Sequence, residues 1–162
     1  MKNSADSITQ GYPSTDGNGY RKHLVAILQG AGNTVQMVGT RRTGDMQNPE
    51  HEGYPTEVIS QIATHTSAYS QRPNVILLHV GTNDVNQDLN LATAAQRVDS
   101  LVQQLLTACP DATIIVARII PSAFKNVGTF NRQLSELMDV RAIRGQHVML
   151  VDMASETTLL SF

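Results

Sequence analysis

One segment, Asn74–Val80, constrains the fold more than any other part of this 162-residue chain. It is almost continuously apolar, rich in Val, Ile and Leu, and lies between Pro73 and Gly81. Such runs are typical of strands that are covered on both faces, as in the parallel sheets of α/β proteins. The chain is therefore expected to supply helices for both sides of a parallel sheet.

The rest of the sequence alternates between further apolar segments and segments with helical spacing. Strands are predicted at Thr34–Val38, Thr113–Ala117 and His147–Val151, and helices around Tyr20–Leu28, Val58–Ala63, Leu91–Leu106 and Asn126–Ile143. Right-handed crossovers between parallel strands place helices on both faces of such a sheet. We therefore predict an α/β fold, a three-layer αβα sandwich with a flavodoxin-like parallel sheet of four to five strands.

No strand is predicted at the N-terminus, because Met1–Ser4 is short and polar. A parallel sheet without its first strand would have a gap, and unpaired strand edges favour association with other chains. From this we expect the isolated chain to be marginally stable or to aggregate.

Composition excludes several classes of protein and partner. Twelve Lys and Arg against fourteen Asp and Glu give a net charge of −2, without the clustered positive charge of nucleic-acid-binding proteins. No apolar run approaches the length of about 18 residues that a membrane helix needs. The single Cys109 can form neither an internal disulfide nor, alone, a zinc site. We expect no metal, no cofactor, and no nucleic-acid or membrane partner.

Residues 1–6 contain no apolar segment of the kind found in signal peptides, which makes the cytoplasm the default location. A location outside the cell would require a longer N-terminal segment. Length and the absence of an internal linker favour one domain over residues 1–162.

Three segments carry groups suited to chemistry at the ends of predicted strands. Ser7 could be a nucleophile on a tight turn or an ordinary helix cap. Gly39 lacks a Cβ, which suits either a close approach to a ligand or a simple turn. Asn83 follows the central strand, where α/β proteins bind ligands, and could direct its amide into that crevice or cap the next helix.

Together, Asp6-Ser7-Ile8-Thr9, Gly39 and Gly81-Thr82-Asn83-Asp84 resemble the sequence blocks of the SGNH (GDSL-type) hydrolase superfamily. The resemblance implies that Ser7 is the nucleophile. It also implies an oxyanion hole formed by the backbone N–H groups of Ser7 and Gly39 and the side chain of Asn83. Three further residues would support these loops: Asp6, Gly81 and Asp84.

A second stretch, His51-Glu52-Gly53-Tyr54-Pro55, with Arg41-Arg42-Thr43-Gly44, is similar to the acetylxylan-esterase-type carbohydrate esterases of that superfamily. We expect His51, Glu52 and Gly53 to contact the substrate. His51, on a predicted loop, is also the histidine that could approach Ser7, whereas His79 is expected to be packed inside the central strand.

The sequence departs from the family pattern at four places. Ala5 stands where the first block has Gly, no strand is predicted before it, and Thr56 replaces a Gly that usually follows the second stretch. The final Asp-x-x-His block, which supplies the catalytic His and its Asp, has no matching positions after Val151–Met153. We therefore expect a domain that is short at the N-terminus and truncated at the C-terminus.

The prediction is a serine esterase that cleaves acetyl-like carboxylic esters, with acetylated carbohydrate as a candidate substrate. One alternative is a catalytically impaired or non-catalytic carbohydrate- or ester-binding remnant of the same fold. A flavodoxin-like phosphate binder is the least favoured, because the sequence has no G-x-x-x-x-G-K loop.

Overall fold

The computed structural model describes residues 1–5, 7–121 and 125–153 of the chain. Its strands form one sheet in the order β2-β3-β1-β4-β5-β6. The five strands from β3 to β6 in this order are parallel, and β2 is antiparallel to β3 at one edge. Their bounds are β1 Lys2–Ala5, β2 Arg41–Arg42, β3 Glu50–Gly53, β4 Val75–His79, β5 Thr113–Ala117 and β6 Val148–Val151.

Helices alternate with these strands, so the predicted α/β fold is confirmed. The α-helices are α1 Ser7–Gln10, α2 Tyr20–Gly30, α3 Ile59–Ile62, α4 Thr82–Asn86, α5 Ala94–Ala108 and α6 Gly128–Ile143. Short 3₁₀ helices cover Ser67–Gln71 and Leu91–Thr93. None of the helices in the described ranges is both long and apolar enough to cross a bilayer.

The main core lies against one face of β4 and β5. Ile76 and Leu78 of β4 and Ile114 and Val116 of β5 are almost fully buried, as the continuous apolar runs predict. The amphipathic helix α5 buries its predicted stripe against them: Ala94, Ala95, Val98, Leu101, Val102 and Leu105. This packing makes β4 a rigid base for the loop that follows it.

The expectation of a missing first strand is wrong. Lys2–Ala5 forms β1 in the interior of the sheet, paired in parallel with β3 on one side and β4 on the other. An interior strand has backbone partners on both sides, and this tertiary context overrides the weak strand preference of polar residues. The gap from which marginal stability and aggregation were expected is therefore filled, and that expectation loses its basis.

The predicted strand Thr34–Val38 is also wrong, since only Val38 in it forms a bridge. The Val38 N–H donates to the Met1 carbonyl (2.9 Å), and the Met1 amino group donates to the Gln36 carbonyl (2.8 Å). This segment therefore lies beside the beginning of β1. Further along, β3 pairs with β1 through Ser4 and Ala5 and takes the place that a longer strand here would need.

Candidate active site

The turns that lead to Ser7, the predicted nucleophile, and to Asn83, the predicted amide donor, leave the sheet side by side. Ala5, the last residue of β1, pairs with His79, the last residue of β4. Ser7 and Gly81 each lie two residues beyond the ends of β1 and β4, which are neighbouring strands of the sheet. Both turns thus open at the carboxyl edge of the sheet, where α/β proteins form their sites. Asp6 lies outside the described residues.

The loop that contains Gly39 packs directly on β3, the other neighbour of β1. A Cβ at Gly39 would lie 2.3 Å from the His51 carbonyl oxygen. No residue with a side chain fits there without a backbone shift, so glycine is required for this approach. The contact holds the Gly39 loop against the strand beside the one that leads to Ser7.

Gly53, at the end of β3, supports α1 and with it Ser7. A Cβ at Gly53 would lie 2.5 Å from the Gln10 backbone nitrogen, inside the short helix that begins at Ser7. The absence of a side chain therefore lets α1 lie directly on the end of β3. Ser7 itself is partly exposed at the start of that helix.

Gly81 shapes the turn between β4 and α4. Its φ of +114° lies in the region that side chains rarely adopt, and a Cβ there would lie 2.6 Å from the ring of the buried Phe130. Both conformation and space require glycine at this point. The sharp turn directs the chain into α4, which carries Asn83 and Asp84.

Asn83 is half-buried and is held by one hydrogen bond. Its Nδ2 donates to the Glu57 carbonyl at 2.8 Å. A side-chain amide nitrogen has two N–H groups. One of them fixes the amide to the loop before α3, and the second has no acceptor among the residues that the structure describes.

Asp84 is fully buried and ties three segments together. Its Oδ2 accepts the Ile59 N–H (2.9 Å) at the start of α3, and its Oδ1 accepts from Arg97 Nη1 (2.5 Å) of α5. Asp84 therefore anchors the helix of Asn83 to both neighbouring helices.

His51 lies in strand β3 rather than on a loop, and it is fully buried. Its Nδ1 accepts the Gly53 N–H (2.8 Å), and its Nε2 is 2.8 Å from Thr43 Oγ1. Burial, followed by the charges of Arg21 and Arg41, lowers the pKa of His51 to about 4. The ring is neutral at pH 7 and both nitrogens are engaged, so His51 is not free to take a proton from Ser7.

Glu52 is also fully buried and braces the Gly39 loop. Its carboxylate accepts the Thr40 N–H and the Tyr54 hydroxyl, the latter at 2.7 Å. The polar contacts of His51 and Glu52 are thus made with the protein itself. Substrate contact by His51, Glu52 and Gly53 stays a prediction.

The other four histidines lie on other segments of the chain. His79 is buried within β4, as predicted, and His23 is exposed on α2. His147 precedes β6, at the sheet edge opposite the carboxyl ends of the strands. His65 Nε2 is 2.7 Å from Glu57 Oε2. Across the described ranges, no cluster of three or more His, Cys, Asp or Glu side chains is suited to a metal ion.

Arg21 is a buried residue of the site that sequence reasoning missed. Its fully buried guanidinium donates to four backbone carbonyls at 2.9–3.1 Å: those of Gln10, Gly17, Thr43 and Pro49. Gln10 ends the helix that begins at Ser7, so Arg21 joins α1 to the loops before β3. In the sequence, Arg21 is an ordinary charged residue next to Tyr20 in a segment with helical spacing.

Replacing Arg21 with Met is expected to lower the free energy of unfolding by about 2–3 kcal/mol, because the carbonyls would lose a charged donor in a buried place. For a domain of this size that corresponds to a decrease in Tm of roughly 4–12 °C, measurable by calorimetry. The matched control is Lys22→Met, which removes an exposed ion pair with Asp45 and should have little effect. Equal decreases in the two variants would contradict the assigned role.

Thr56, which departs from the family pattern, has a φ of +67°. A β-branched residue is strained in this left-handed region, whereas glycine is not. Thr56→Gly is therefore expected to raise the unfolding free energy by about 1 kcal/mol, seen as a Tm increase of roughly 2–4 °C. Thr56→Ala retains a Cβ and serves as control. A lower Tm for the glycine variant than for the alanine variant would refute the strain.

The sequence matches the profile of the GDSL-like lipase/acylhydrolase family over residues 6–158, which is nearly the whole chain. This chain belongs to that family. The resemblance to SGNH hydrolases is thereby confirmed, and the family is one of ester hydrolases. No curated protein sequence matches the chain.

Among solved structures, the chain is similar to carbohydrate esterases, as the segment His51-Glu52-Gly53-Tyr54-Pro55 predicted. A family 3 carbohydrate esterase from Clostridium thermocellum superimposes with a TM-score of 0.87 at 28% identity, covering 93% of this chain and 76% of that one. A carbohydrate esterase family 3 protein from Talaromyces cellulolyticus gives 0.81 at 20% identity, covering 94% and 78%. A mutant acetyl esterase with an acetate ion gives 0.78 at 20% identity, with the same coverage. The two matches at 20% identity show the fold alone.

Proposed function

We propose that this GDSL-family protein is a serine esterase that hydrolyses acetyl-type esters, with acetylated carbohydrate as its substrate class. The observation that carries the proposal is the pairing of Ala5 with His79, which opens the Ser7 turn and the Asn83 turn beside each other. The substrate class is motivated by the names of the similar structures, a carbohydrate esterase and an acetyl esterase.

In the proposed reaction, Ser7 Oγ attacks the acyl carbon, and the carbonyl electron pair moves onto its oxygen. The Ser7 and Gly39 N–H groups and the second Asn83 N–H donate to this oxyanion. Collapse of the intermediate breaks the bond to the alcohol, which leaves with the proton given up by Ser7 Oγ, and the acyl group stays on Ser7. Water then attacks the acyl-enzyme; its oxygen bonds to the acyl carbon, the bond to Ser7 Oγ breaks, one water proton returns to Oγ, and the acid is released.

The buried residues of β3 take a supporting role in this proposal. His51 fixes the end of β3 through Gly53, and Glu52 holds the Thr40 N–H next to Gly39. In this proposal, His51 and Glu52 hold the Gly39 loop in place, and the substrate contacts Ser7, Gly39 and Asn83. The substrate contact expected from the sequence would then be indirect.

The hydroxyl of Ser7 needs a base, the final Asp-x-x-His block has no matching positions, and both ring nitrogens of the neutral His51 are engaged. This observation favours a second candidate, a protein that binds carbohydrate or ester without turnover on the same fold. A triad enzyme without one member still retains roughly 10³–10⁴-fold acceleration over water. The two candidates therefore differ in how reactive Ser7 is.

A fluorophosphonate probe tests the proposal, because it forms a covalent bond only with an activated serine. We expect stoichiometric labelling in the intact mass and, after digestion, the adduct on the peptide that contains Ser7. An excess of p-nitrophenyl acetate, which competes for Ser7, should slow the labelling. An unlabelled, folded protein that binds acetylated xylo-oligosaccharide would overturn the esterase and support the binding protein.

A further inference from the structure

We propose that His65 is a positioning residue that couples the two outer donors of the oxyanion hole, those from the Gly39 loop and from Asn83. It would do so through its stacked pair with Tyr54, named here the Tyr54–His65 bridge. The inference rests on the proposed function.

One end of the bridge holds the Gly39 loop. The Tyr54 hydroxyl donates to Glu52 Oε2 (2.7 Å) and is 3.3 Å from Thr40 Oγ1. The same Glu52 carboxylate accepts the Thr40 N–H. Thr40 directly follows Gly39, so the Tyr54 ring is linked through Glu52 to the Gly39–Thr40 peptide, which adjoins the peptide of the Gly39 N–H.

The other end holds Asn83. His65 Nε2 is 2.7 Å from Glu57 Oε2, and the carbonyl of the same Glu57 accepts from Asn83 Nδ2 at 2.8 Å. The side chain of Glu57 is partly exposed, and His65 gives it a fixed partner. Its contact with His65 restrains the residue whose carbonyl aims the Asn83 amide.

The two ends meet in the stack itself. The Tyr54 and His65 rings are parallel within 2°, with centroids 3.6 Å apart, and Tyr54 is buried. The Arg41 guanidinium carbon lies 5.0 Å from the centre of the same Tyr54 ring. Oxyanion donors act only when they lie about 2.7–3.1 Å from the developing charge. The rigid Tyr54–His65 bridge would therefore stabilise the transition state more than it strengthens substrate binding.

The test uses His65→Phe, which keeps an aromatic ring for the stack and removes the contact with Glu57. With p-nitrophenyl acetate we expect kcat to decrease about tenfold and KM to change less than about twofold. His23→Phe makes the same change on the exposed face of α2 and should leave both constants unchanged. Calorimetry shows whether each variant is folded. If His65→Phe does not fold, Glu57→Ala, which also removes this contact, is measured in its place.

A double-mutant cycle with Asn83→Ala separates positioning from a merely structural role. If His65 acts through Asn83, His65→Phe should reduce kcat less than twofold when Asn83 is already alanine. A tenfold reduction in both backgrounds would overturn the inference and leave the esterase proposal intact. Absence of Ser7-dependent turnover in the unmutated protein would overturn both.

Discussion

Ser7→Ala is expected to lower kcat for p-nitrophenyl acetate to the level that binding and the remaining oxyanion donors sustain, because the variant lacks the hydroxyl on which the acyl-enzyme would form. The backbone N–H donors would remain, so a small rate above that of water is expected to persist. Single-turnover measurements should show no acyl-enzyme in the variant. Serine and alanine differ by one oxygen, so the fold should be unaffected.

Ser100→Ala is the matched control for this variant. Ser100 lies on the exposed side of α5, where its hydroxyl donates to the Gln96 carbonyl. It should retain full activity. Equal rates for the unmutated protein and Ser7→Ala would show that hydrolysis occurs elsewhere, and the assignment of Ser7 would have to be abandoned.

The parts of the fold that sequence predicted well are those in which packing alone determines structure. Val75–His79 and Thr113–Ala117 have apolar side chains on both faces, and such segments have few stable alternatives to a buried parallel strand. The stripe from Ala94 to Leu105 predicts α5 for the same reason.

The wrong predictions concern segments whose structure depends on their neighbours. Met1–Ser4 looked like a loop because it is polar, yet Lys2–Ala5 pairs on both sides within the sheet. Thr34–Val38 is apolar enough for a strand, yet β3 takes most of the place beside β1. Periodicity reports the burial of side chains and carries no information about which backbone is available for pairing.

For the site, the blocks around Ser7, Gly39 and Asn83 could be found only in combination, through the family resemblance. What sequence could not show is how they are held. Arg21 binds carbonyls from distant segments, and Glu57 acts through a backbone oxygen. Contacts with main-chain atoms leave no pattern of residue types. The one departure that carried a structural signal was Thr56, since a position that usually holds glycine indicates a positive φ.

Asn83→Ala is expected to lower kcat by about 10²–10³-fold, which corresponds to the loss of one oxyanion donor, about 2.7–4 kcal/mol. The ground-state ester carries little charge on its carbonyl oxygen, so KM should change much less than kcat. The variant also loses the bond to the Glu57 carbonyl, so a decrease of about 1 kcal/mol in unfolding free energy is expected.

Asn86→Ala provides the comparison within the same short helix. Asn86 is exposed at the end of α4, away from the turn at Gly81, and its replacement should change neither kcat nor stability by much. Activity and stability must be measured together, because a misfolded Asn83→Ala protein would also be slow. A folded Asn83→Ala variant with kcat within threefold of the unmutated protein would exclude the amide from the oxyanion hole. Because the Tyr54–His65 bridge is proposed to act through that amide, the same result would remove the role assigned to His65.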